Sequence, residues 1–428
     1  MTLHPPMTAS PSPATSASLI GWSDEPTTSL AVCPPLAATL GCQDIHNDRQ
    51  QHRDIFKFLD RHAAADAATT LVLQDVLLGF SSESNIRSVI ARLLCEGAPG
   101  ARALIAERTT RRNFAALQRA MHCLGLEHLV DISIRQGWCV LSIQRGGATD
   151  TTDWLAAASA PGQRGSVDAV MRLAGRALQD KTGFSLLRFG HCESKFVGYG
   201  THFGWSDVTQ SAVLQWGAPV SVPRVLRLQA DISEATHHAS VVGIKPRATL
   251  EPGSLGILNA AATAIALERG VLRTDTLRVD SNIHFDLAGS PAFMSMLAQV
   301  PQLILVTPRA ELVGRLETRF GRAGRVIHVP VPGEFRVNGE GGAEVDVRFS
   351  AFQVAESRLQ ALCEPGALVL IGAGLVGKRW CMLAHQRGAV AVDMGSVLDA
   401  WAGVQSRSSG FPERVTRLFD SDLHPVAV

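Results

Sequence analysis

The chain has 428 residues, 46% of them hydrophobic, and its 40 Lys and Arg residues nearly balance 39 Asp and Glu residues to leave a formal net charge of +1. This length predicts about two or three domains, each with its own hydrophobic core. The balanced charge excludes the overall basic surface that binds nucleic acid or an anionic membrane, although it leaves room for a local basic patch.

Other bulk features predict a soluble, cytoplasmic protein. The eight cysteines include no C-x-x-C pair, a pattern typical of a reducing compartment in which thiols are small buried side chains and structural zinc is absent. No apolar run reaches the roughly 18–20 residues that span a membrane. No Lys or Arg precedes Arg49, so we expect neither a secretory signal nor an Arg-rich transit peptide.

Residues 1–50 are rich in Pro, Ser, Thr and Ala, with a Pro-Ser-Pro cluster at 11–13 and a Pro-Pro pair at 34–35. Such a segment buries too little apolar surface to offset its ordering entropy, and we expect a disordered leader. The same composition is compatible with a bacterial effector that is delivered into a host cell.

Residues 54–147 are predicted to form a small two-layer α/β domain. The hydrophobic pattern predicts strands at 69–80 and 101–107, helices at 82–94 and 112–125, and a hairpin of strands 129–135 and 138–145 around Gln136-Gly137. The order βαβαββ is similar to that of small sulfur-carrier proteins, whose hairpin also follows a G-x-E turn, here Gly125 to Glu127. Their reactive Cys-Pro-x-Pro motif is replaced by Ser81-Ser82-Glu83, so their chemistry is not expected here.

A Gly- and Thr-rich linker at 148–164 precedes a larger domain at 165–428. Strands are predicted at 184–187, 240–244, 302–307, 325–329, 367–371 and 389–393, and helices at 167–181, 256–269, 291–299, 309–320, 351–363 and 376–387. Short apolar strands that alternate with helices indicate a doubly wound α/β fold with a mostly parallel sheet.

A glycine turn follows the strand at 367–371. It reads Gly372-Ala373-Gly374-x-x-Gly377-Lys378, and the next strand ends at Asp393. This spacing is typical of dinucleotide-binding units, in which the glycines admit a phosphate to the helix N-terminus. The alternative is a turn that only allows the strand and helix to pack closely. Because the motif lies near the end of the domain, a nucleotide other than NAD is favoured.

A polar triplet, His191-Cys192-Glu193, follows the strand at 184–187. A carboxylate pair spaced D-x-E after a strand is a usual way to hold Mg²⁺ or Mn²⁺, and Mn²⁺ also tolerates imidazole. His191 and Glu193 are therefore candidate metal ligands. The alternative is a solvated polar turn.

Four further side chains are candidates for chemistry. Arg309 follows the strand at 302–307, and its guanidinium suits a phosphate. Asp280 and His284 in the segment VDSNIHFD, and Glu334 in a proline-fixed turn, are candidate acids or bases. Nothing in the sequence ranks these three, and each has a structural alternative.

Four segments together, FSLLRFGHCE, LILVTPR, VIHVPVPGE and the closing VLIGAGLVGK…AVAVDMGSVLDAWAGVQSR, resemble the bacterial glycosyltransferases of the GT-D fold, over about residues 165–410. The resemblance implies a Rossmann-like GT-D fold and a metal-dependent transfer of a glucose-like hexose from a UDP-sugar to a glycan or glycoprotein. Residues that match the family motifs are Arg188, Gly190, Glu193, Gly372, Gly374, Gly377, Lys378, Asp393, Gly395 and Asp399.

The family motif R-x-G-D-G-E is altered here, because His191 replaces its aspartate and Cys192 the following glycine. A neutral ligand attracts a divalent cation less strongly. The family mechanism implies that Mn²⁺ or Mg²⁺, Arg309, Lys378 and the glycine turn stabilise the departing diphosphate. Two alternatives stay open: an NAD(P)-dependent oxidoreductase, and a nucleotide-sugar-binding module with impaired catalysis. No nucleic-acid partner is expected, and a homo-oligomer is compatible with the sequence.

Overall fold

The computed structural model describes residues 18–23, 29–48, 55–62, 68–76, 86, 89–90, 93, 101–108, 130–144, 165–244, 265–267, 269–321, 324–335, 345–407 and 411–416. These residues belong to two compact units, one within 18–144 and the other within 165–416.

The N-terminal unit is built on a five-stranded sheet. Its elements are β1 (Ser18–Ser23), β2 (Ser29–Ala31), α1 (Pro34–Leu40), β3 (Asp44–His46), α2 (Ile55–His62), β4 (Thr69–Gln74), β5 (Arg102–Arg108), β6 (Val130–Arg135) and β7 (Trp138–Gln144). The strand order is β1-β4-β5-β7-β6, with β2 and β3 paired separately. Strands β1, β4 and β5 run parallel, and β7 is antiparallel to both β5 and β6.

The predicted hairpin is confirmed. Strands β6 and β7 pair directly across Gln136 and Gly137, whose φ angles are 50° and 77°. Two consecutive positive φ values are typical of the tight turn that matches the twist of a β-hairpin. The segments 112–125 and 81–83, which carry the second predicted helix and the sulfur-carrier comparison, lie outside the described residues.

Within the predicted leader, the described residues 18–23 and 29–48 form secondary structure. Strand β1 pairs with β4 along its whole length. Leu30, Leu36 and Ile45 are buried in a cluster with Val72 of β4. The average composition concealed these few large apolar side chains, whose burial offsets the cost of ordering the segment.

The C-terminal unit contains seven strands and the helices that flank them in the described part of the chain. Its elements are α3 (Val167–Asp180), β8 (Phe184–Arg188), α4 (His191–Val197), α5 (Trp205–Trp216), α6 (Val222–His238), β9 (Val241–Ile244), β10 (Leu277–Asp280), α7 (Ile283–Ala288), α8 (Pro291–Gln299), β11 (Leu303–Thr307), α9 (Leu312–Phe320), β12 (Val326–Pro330), α10 (Val345–Leu362), β13 (Leu368–Ile371), α11 (Gly377–Gln386), β14 (Val390–Asp393), α12 (Val397–Trp401) and α13 (Glu413–Thr416).

All seven strands are parallel, in the order β10-β9-β8-β14-β13-β11-β12. The predicted α/β class with a mostly parallel sheet is confirmed. The central strands are continuous apolar runs because both faces of a parallel sheet are covered by helices. The adjacent strands β8, β14, β13 and β11 therefore end at one edge of the sheet, where open α/β folds bind ligands.

The triplet at 191–193 begins a helix and not an isolated turn. The Glu193 carboxylate accepts a hydrogen bond from the Gly190 N–H at 2.9 Å, and the Ser194 N–H donates to the Gly190 carbonyl. These reciprocal bonds satisfy the first polar groups of α4. The same pattern, Gly204 with Asp207, begins α5. Both starts lack the Ser or Thr cap that makes a helix N-terminus visible in sequence.

Among the helices of the described residues, none is both long enough and apolar enough to cross a membrane.

Candidate functional site

A cleft of about 370 Å³ opens at the carboxyl edge of the large sheet. Most of the predicted site residues line it: Arg188, Gly190, His191, Glu193, Arg309, Glu334, Gly372, Gly374 and Lys378. Asp393 lies directly beneath, at the end of β14, and is only 4% exposed. The topology thus brings together residues that are up to 205 positions apart in the chain.

Four charges form a connected cluster at the base of the cleft. The Lys378 ammonium contacts Glu193 Oε1 at 3.1 Å and makes a shorter contact with Asp393 Oδ2. Asp393 Oδ1 accepts from Arg188 Nη2 at 3.3 Å, and Oδ2 also accepts from the Arg188 N–H. Two positive and two negative groups therefore balance one another in a buried position.

The cluster keeps its groups ionised although they are buried. Burial by itself would raise the pKa of Glu193, but the Lys378 ammonium and the Gly190 N–H outweigh it and lower this pKa. Arg188 and Lys378 likewise outweigh burial and hold the pKa of Asp393 well below its usual range. Burial would lower the pKa of Lys378, whereas Asp393 and Glu193 raise it. Glu193, Asp393 and Lys378 therefore carry their charges at neutral pH.

Gly395 makes room for the Arg188 side chain. A Cβ atom at this position would lie 2.0 Å from Arg188 Nη2, and the φ angle of 48° is one that side chains other than glycine rarely adopt. Because Gly395 has no side chain, the turn after β14 leaves space for the Arg188 guanidinium beside Asp393.

His284 belongs to the same cluster as a neutral imidazole. Its Nε2 accepts from Arg188 Nη1 at 2.9 Å, and its ring stacks on Phe285 with centroids 4.0 Å apart. Burial, reinforced by the positive charge of Arg188, lowers the pKa of His284 well below its ordinary value. Because Nε2 already accepts from a permanent cation, the geometry assigns His284 to orienting Arg188.

The glycine turn lies between β13 and α11, as predicted. At Gly374, with a φ angle of 57°, a Cβ would stand 2.3 Å from Gln215 Oε1. At Gly377, a Cβ would meet the Ile371 side chain at 2.9 Å. Gly374 thus leaves room for the Gln215 side chain, and Gly377 allows α11 to pack on its strand. Both contacts agree with the packing interpretation of the motif, and phosphate binding stays a prediction.

The other predicted side chains are all engaged in the cleft wall or beside it. Arg309 Nε donates to Asp399 at 2.8 Å, in a partly exposed ion pair. Glu334 accepts from Gln215 Nε2 at 2.7 Å. Asp280 Oδ1 accepts from the Asn282 N–H at 2.7 Å, which fixes the turn after β10.

The residues present do not fit a divalent cation. In the described part of the chain, no group of three or more His, Cys, Asp and Glu side chains is arranged to hold a metal ion. Glu193, the predicted ligand, is turned toward Gly190 and Lys378. The ammonium of Lys378 lies between the two carboxylates and would repel a metal there. Among the described residues, no third candidate ligand therefore lies with His191 and Glu193, the predicted metal ligands.

Comparison with known families finds one similarity within this unit. The family model described as a GT-D fold-like domain matches residues 166–339. This part of the C-terminal unit is similar to a GT-D-like domain. The predicted resemblance is confirmed over this range, which contains β8, α4, the strands up to β12 and the first three of the four segments. The closing segment with the glycine turn lies beyond the matched range.

Several solved structures are distantly similar to this chain. A selenomethionine-substituted structure of domain of unknown function 1792 is 11% identical with a TM-score of 0.38, and a second structure of this domain, described as a distinct glycosyltransferase fold, is 10% identical with a TM-score of 0.37. Each alignment covers 56% of this chain and 80% of the other. A glycosyltransferase of this type from Streptococcus sanguinis is 16% identical with a TM-score of 0.35, over 61% of this chain and 94% of the other. The family model carries the assignment, and no curated protein matches the chain.

Sequence reasoning did not name several polar residues of the cleft, among them Gln215, Asn282 and Arg407. Gln215 lies on α5, an element that was not predicted, and Arg407 follows α12. Asn282 and Arg407 lie in segments that carry other predicted residues, but only the fold shows that they line the cleft.

Proposed function

We propose that this protein is a glycosyltransferase that moves a glucose-like hexose from a UDP-sugar to a glycan or protein acceptor. The observation that carries the proposal is the charged cleft in a unit similar to a GT-D-like domain: Arg188, Arg309, Lys378 and Arg407 line it beside the glycine turn, together with Glu193, Glu334 and Asp399. A nucleoside diphosphate is the anion that such a set of cations suits.

The chemistry requires stabilisation of the negative charge that develops on the departing diphosphate. Fixed positive groups in a partly enclosed cleft supply this stabilisation without reorganisation. Arg309, which lines the cleft in an ion pair with Asp399, is the side chain that we assign to direct contact. Lys378 and Arg188 contribute their charge from the base of the cleft.

The acceptor hydroxyl must lose its proton as the sugar is transferred. Of the three candidate bases, Glu334 lines the cleft with a carboxylate held by Gln215. His284 accepts from Arg188, and Asp280 fixes a turn. We therefore propose Glu334 as the general base of the reaction.

An oxidoreductase is less well supported by the same geometry. In a dinucleotide-binding unit the acid at the end of the second strand binds the ribose hydroxyls. Here that acid, Asp393, is 4% exposed, and both of its oxygens are bonded to Arg188 and Lys378. It is not available to a ribose.

The function is tested by incubating the full chain with a panel of UDP-sugars and measuring released UDP and sugar-modified acceptor by mass spectrometry. We expect turnover with at least one UDP-hexose, and a loss of about 100-fold or more in kcat for Glu334→Gln with little change in UDP affinity. Donor binding without product in any combination would favour the binding-module alternative. A kcat of Glu334→Gln equal to that of the wild-type protein would contradict the role of Glu334 as general base.

A further inference from the structure

We infer that the cleft binds its nucleoside diphosphate without a divalent cation, because His191 stands where a further carboxylate would be needed and Glu193 and Asp393 are both already bound to Lys378. The inference rests on the proposed function for the identity of the anion, but its claim about metal binding is independent of it. It concerns the one place where this chain departs from the motif that it otherwise resembles.

Every carboxylate near the base of the cleft is already bound to a donor of this chain. Glu193 Oε1 contacts Lys378 at 3.1 Å, and Oε2 accepts from the Gly190 N–H at 2.9 Å. Asp393 uses Oδ1 for Arg188 and Oδ2 for Lys378. A metal would have to displace a buried ammonium from both acids, which would leave that ammonium without a counter-charge.

The carboxylates higher in the cleft are engaged as well. Asp399 is paired with Arg309 at 2.8 Å, and Glu334 accepts from Gln215 at 2.7 Å. They belong to different walls, after β14 and β12, and the described residues contain no cluster of three ligands. Hard divalent cations in proteins are bound by several oxygen ligands converging on one point.

Position 191 is where an additional ligand would have to come from. It is the first residue of α4, it lies directly after Gly190, and it lines the cleft half-buried. His191 offers a nitrogen and no negative charge there. A single neutral imidazole beside charge-balanced carboxylates leaves a divalent cation without compensating anions.

The charge that a metal would supply is instead built into the chain. Arg188, Arg309, Lys378 and Arg407 are side chains of the cleft. Lys378 is 3% exposed and contacts both Glu193 and Asp393. These side chains place positive groups in the cleft without a bound metal.

The first arm of the test measures Mn²⁺ alone by electron paramagnetic resonance, with no nucleotide, for the full chain and for His191→Asp and His191→Asn. We expect the signal of free Mn²⁺ to be unchanged by the wild-type protein and by His191→Asn, and to fall on addition of His191→Asp. The two variants differ only in a carboxylate, so this pattern isolates the missing charge. A stoichiometric Mn²⁺ site in the wild-type protein would overturn the inference.

The second arm measures UDP affinity of the wild-type protein by calorimetry in excess EDTA and in excess Mg²⁺. We expect the two dissociation constants to agree within about threefold. A loss of affinity of about tenfold or more in EDTA would contradict the inference. If UDP does not bind under either condition, the proposed function fails, while the Mn²⁺ measurement still decides whether the cleft holds a metal.

Discussion

Lys378 lies between Glu193 and Asp393, and each of these three buried charges depends on the other two. The sequence motif that contains Lys378 pointed to a phosphate at the N-terminus of a helix. In the structure its ammonium is directed first at two carboxylates, which arrange the base of the cleft. The residue that the motif singled out is thus important, but its immediate contacts are with the protein.

Replacing Lys378 by Met should destabilise the protein strongly, because it leaves two buried carboxylates without their shared counter-charge. We expect a loss of about 3–5 kcal/mol in the free energy of unfolding of the C-terminal unit, measured by urea denaturation. Arg172→Met, which removes an exposed cation from α3, should change it by less than about 0.5 kcal/mol. A loss below about 1 kcal/mol in the free energy of unfolding for Lys378→Met would mean that the charge cluster contributes little to stability.

The buried neutral His284 predicts a specific dependence of stability on pH. Its pKa in the folded state is well below the ordinary 6.5, so the unfolded chain takes up a proton first as the pH falls. The contribution of His284 is therefore complete above about pH 6.5 and decreases below it. A second decrease, below about pH 4.5, is expected from Glu193 and Asp393, whose pKa values are lowered.

This pH dependence is measured by urea denaturation between pH 4 and 8 in the wild-type protein and in His284→Gln, whose amide oxygen can still accept from Arg188. The variant should lose less stability than the wild-type protein between about pH 6.5 and 5, and should keep the decrease at lower pH. Identical profiles would show that His284 is not neutral in the folded protein.

Turns at strand ends determine the site at the scale of elements. Strands β8, β13 and β14 each end in a segment that supplies a part of the cleft: the start of α4, the glycine turn, and the turn at Gly395. In the glycine turn, Gly374 leaves room for the Gln215 side chain, and in the turn after β14, Gly395 leaves room for the Arg188 side chain. Side chains from separate strands then meet because the parallel sheet places their carboxyl ends on one edge.

Gly395→Ala tests this role of the turns. The new Cβ would coincide with the Arg188 guanidinium, and the φ angle of 48° adds backbone strain. We expect the Arg188 contact with Asp393 to be lost and UDP affinity, measured by calorimetry, to fall by about tenfold or more. Gly314→Ala in α9 is the control, because no atom lies within 4 Å of its Cβ position. It should leave affinity unchanged and stabilise the helix by about 0.5–1 kcal/mol.

Elements with strong hydrophobic periodicity could be predicted from the sequence, and those with weak signals could not. The six predicted strands of the C-terminal unit are all present to within about one residue. Strand β10 was not predicted because Leu277–Asp280 is short and half polar. Helix α5 was not predicted because its N-cap is Gly204 and apolar side chains such as Trp205 and Leu214 are exposed. In the leader, the average composition hides individual buried residues such as Leu36.

The contacts of the site were less predictable than its members. Motif spacing identified Arg188, Glu193, Lys378 and Asp393, but it could not tell that they form one neutral cluster. That result depends on the order of the strands, which brings β8 beside β14 and β14 beside β13. The prediction of a metal site followed from the spacing of His191 and Glu193 and from the family resemblance, and neither could reveal that the Lys378 ammonium lies between Glu193 and Asp393.

At the scale of the whole molecule, two units with separate sheets share one chain. The N-terminal unit has a mixed sheet of five strands, and the C-terminal unit a parallel sheet of seven. The GT-D-like match lies entirely within the second. The account of donor binding accordingly depends on the C-terminal unit alone.

The most direct test of that account is the binding of UDP to the full chain, measured by calorimetry. We expect one UDP per chain, a loss of affinity of about tenfold or more for Arg309→Ala, no change for Arg172→Ala, and no binding of NADH. Tighter binding of NADH than of UDP, or UDP affinity unaffected by Arg309→Ala, would contradict the assignment of this cleft to a nucleotide-sugar donor.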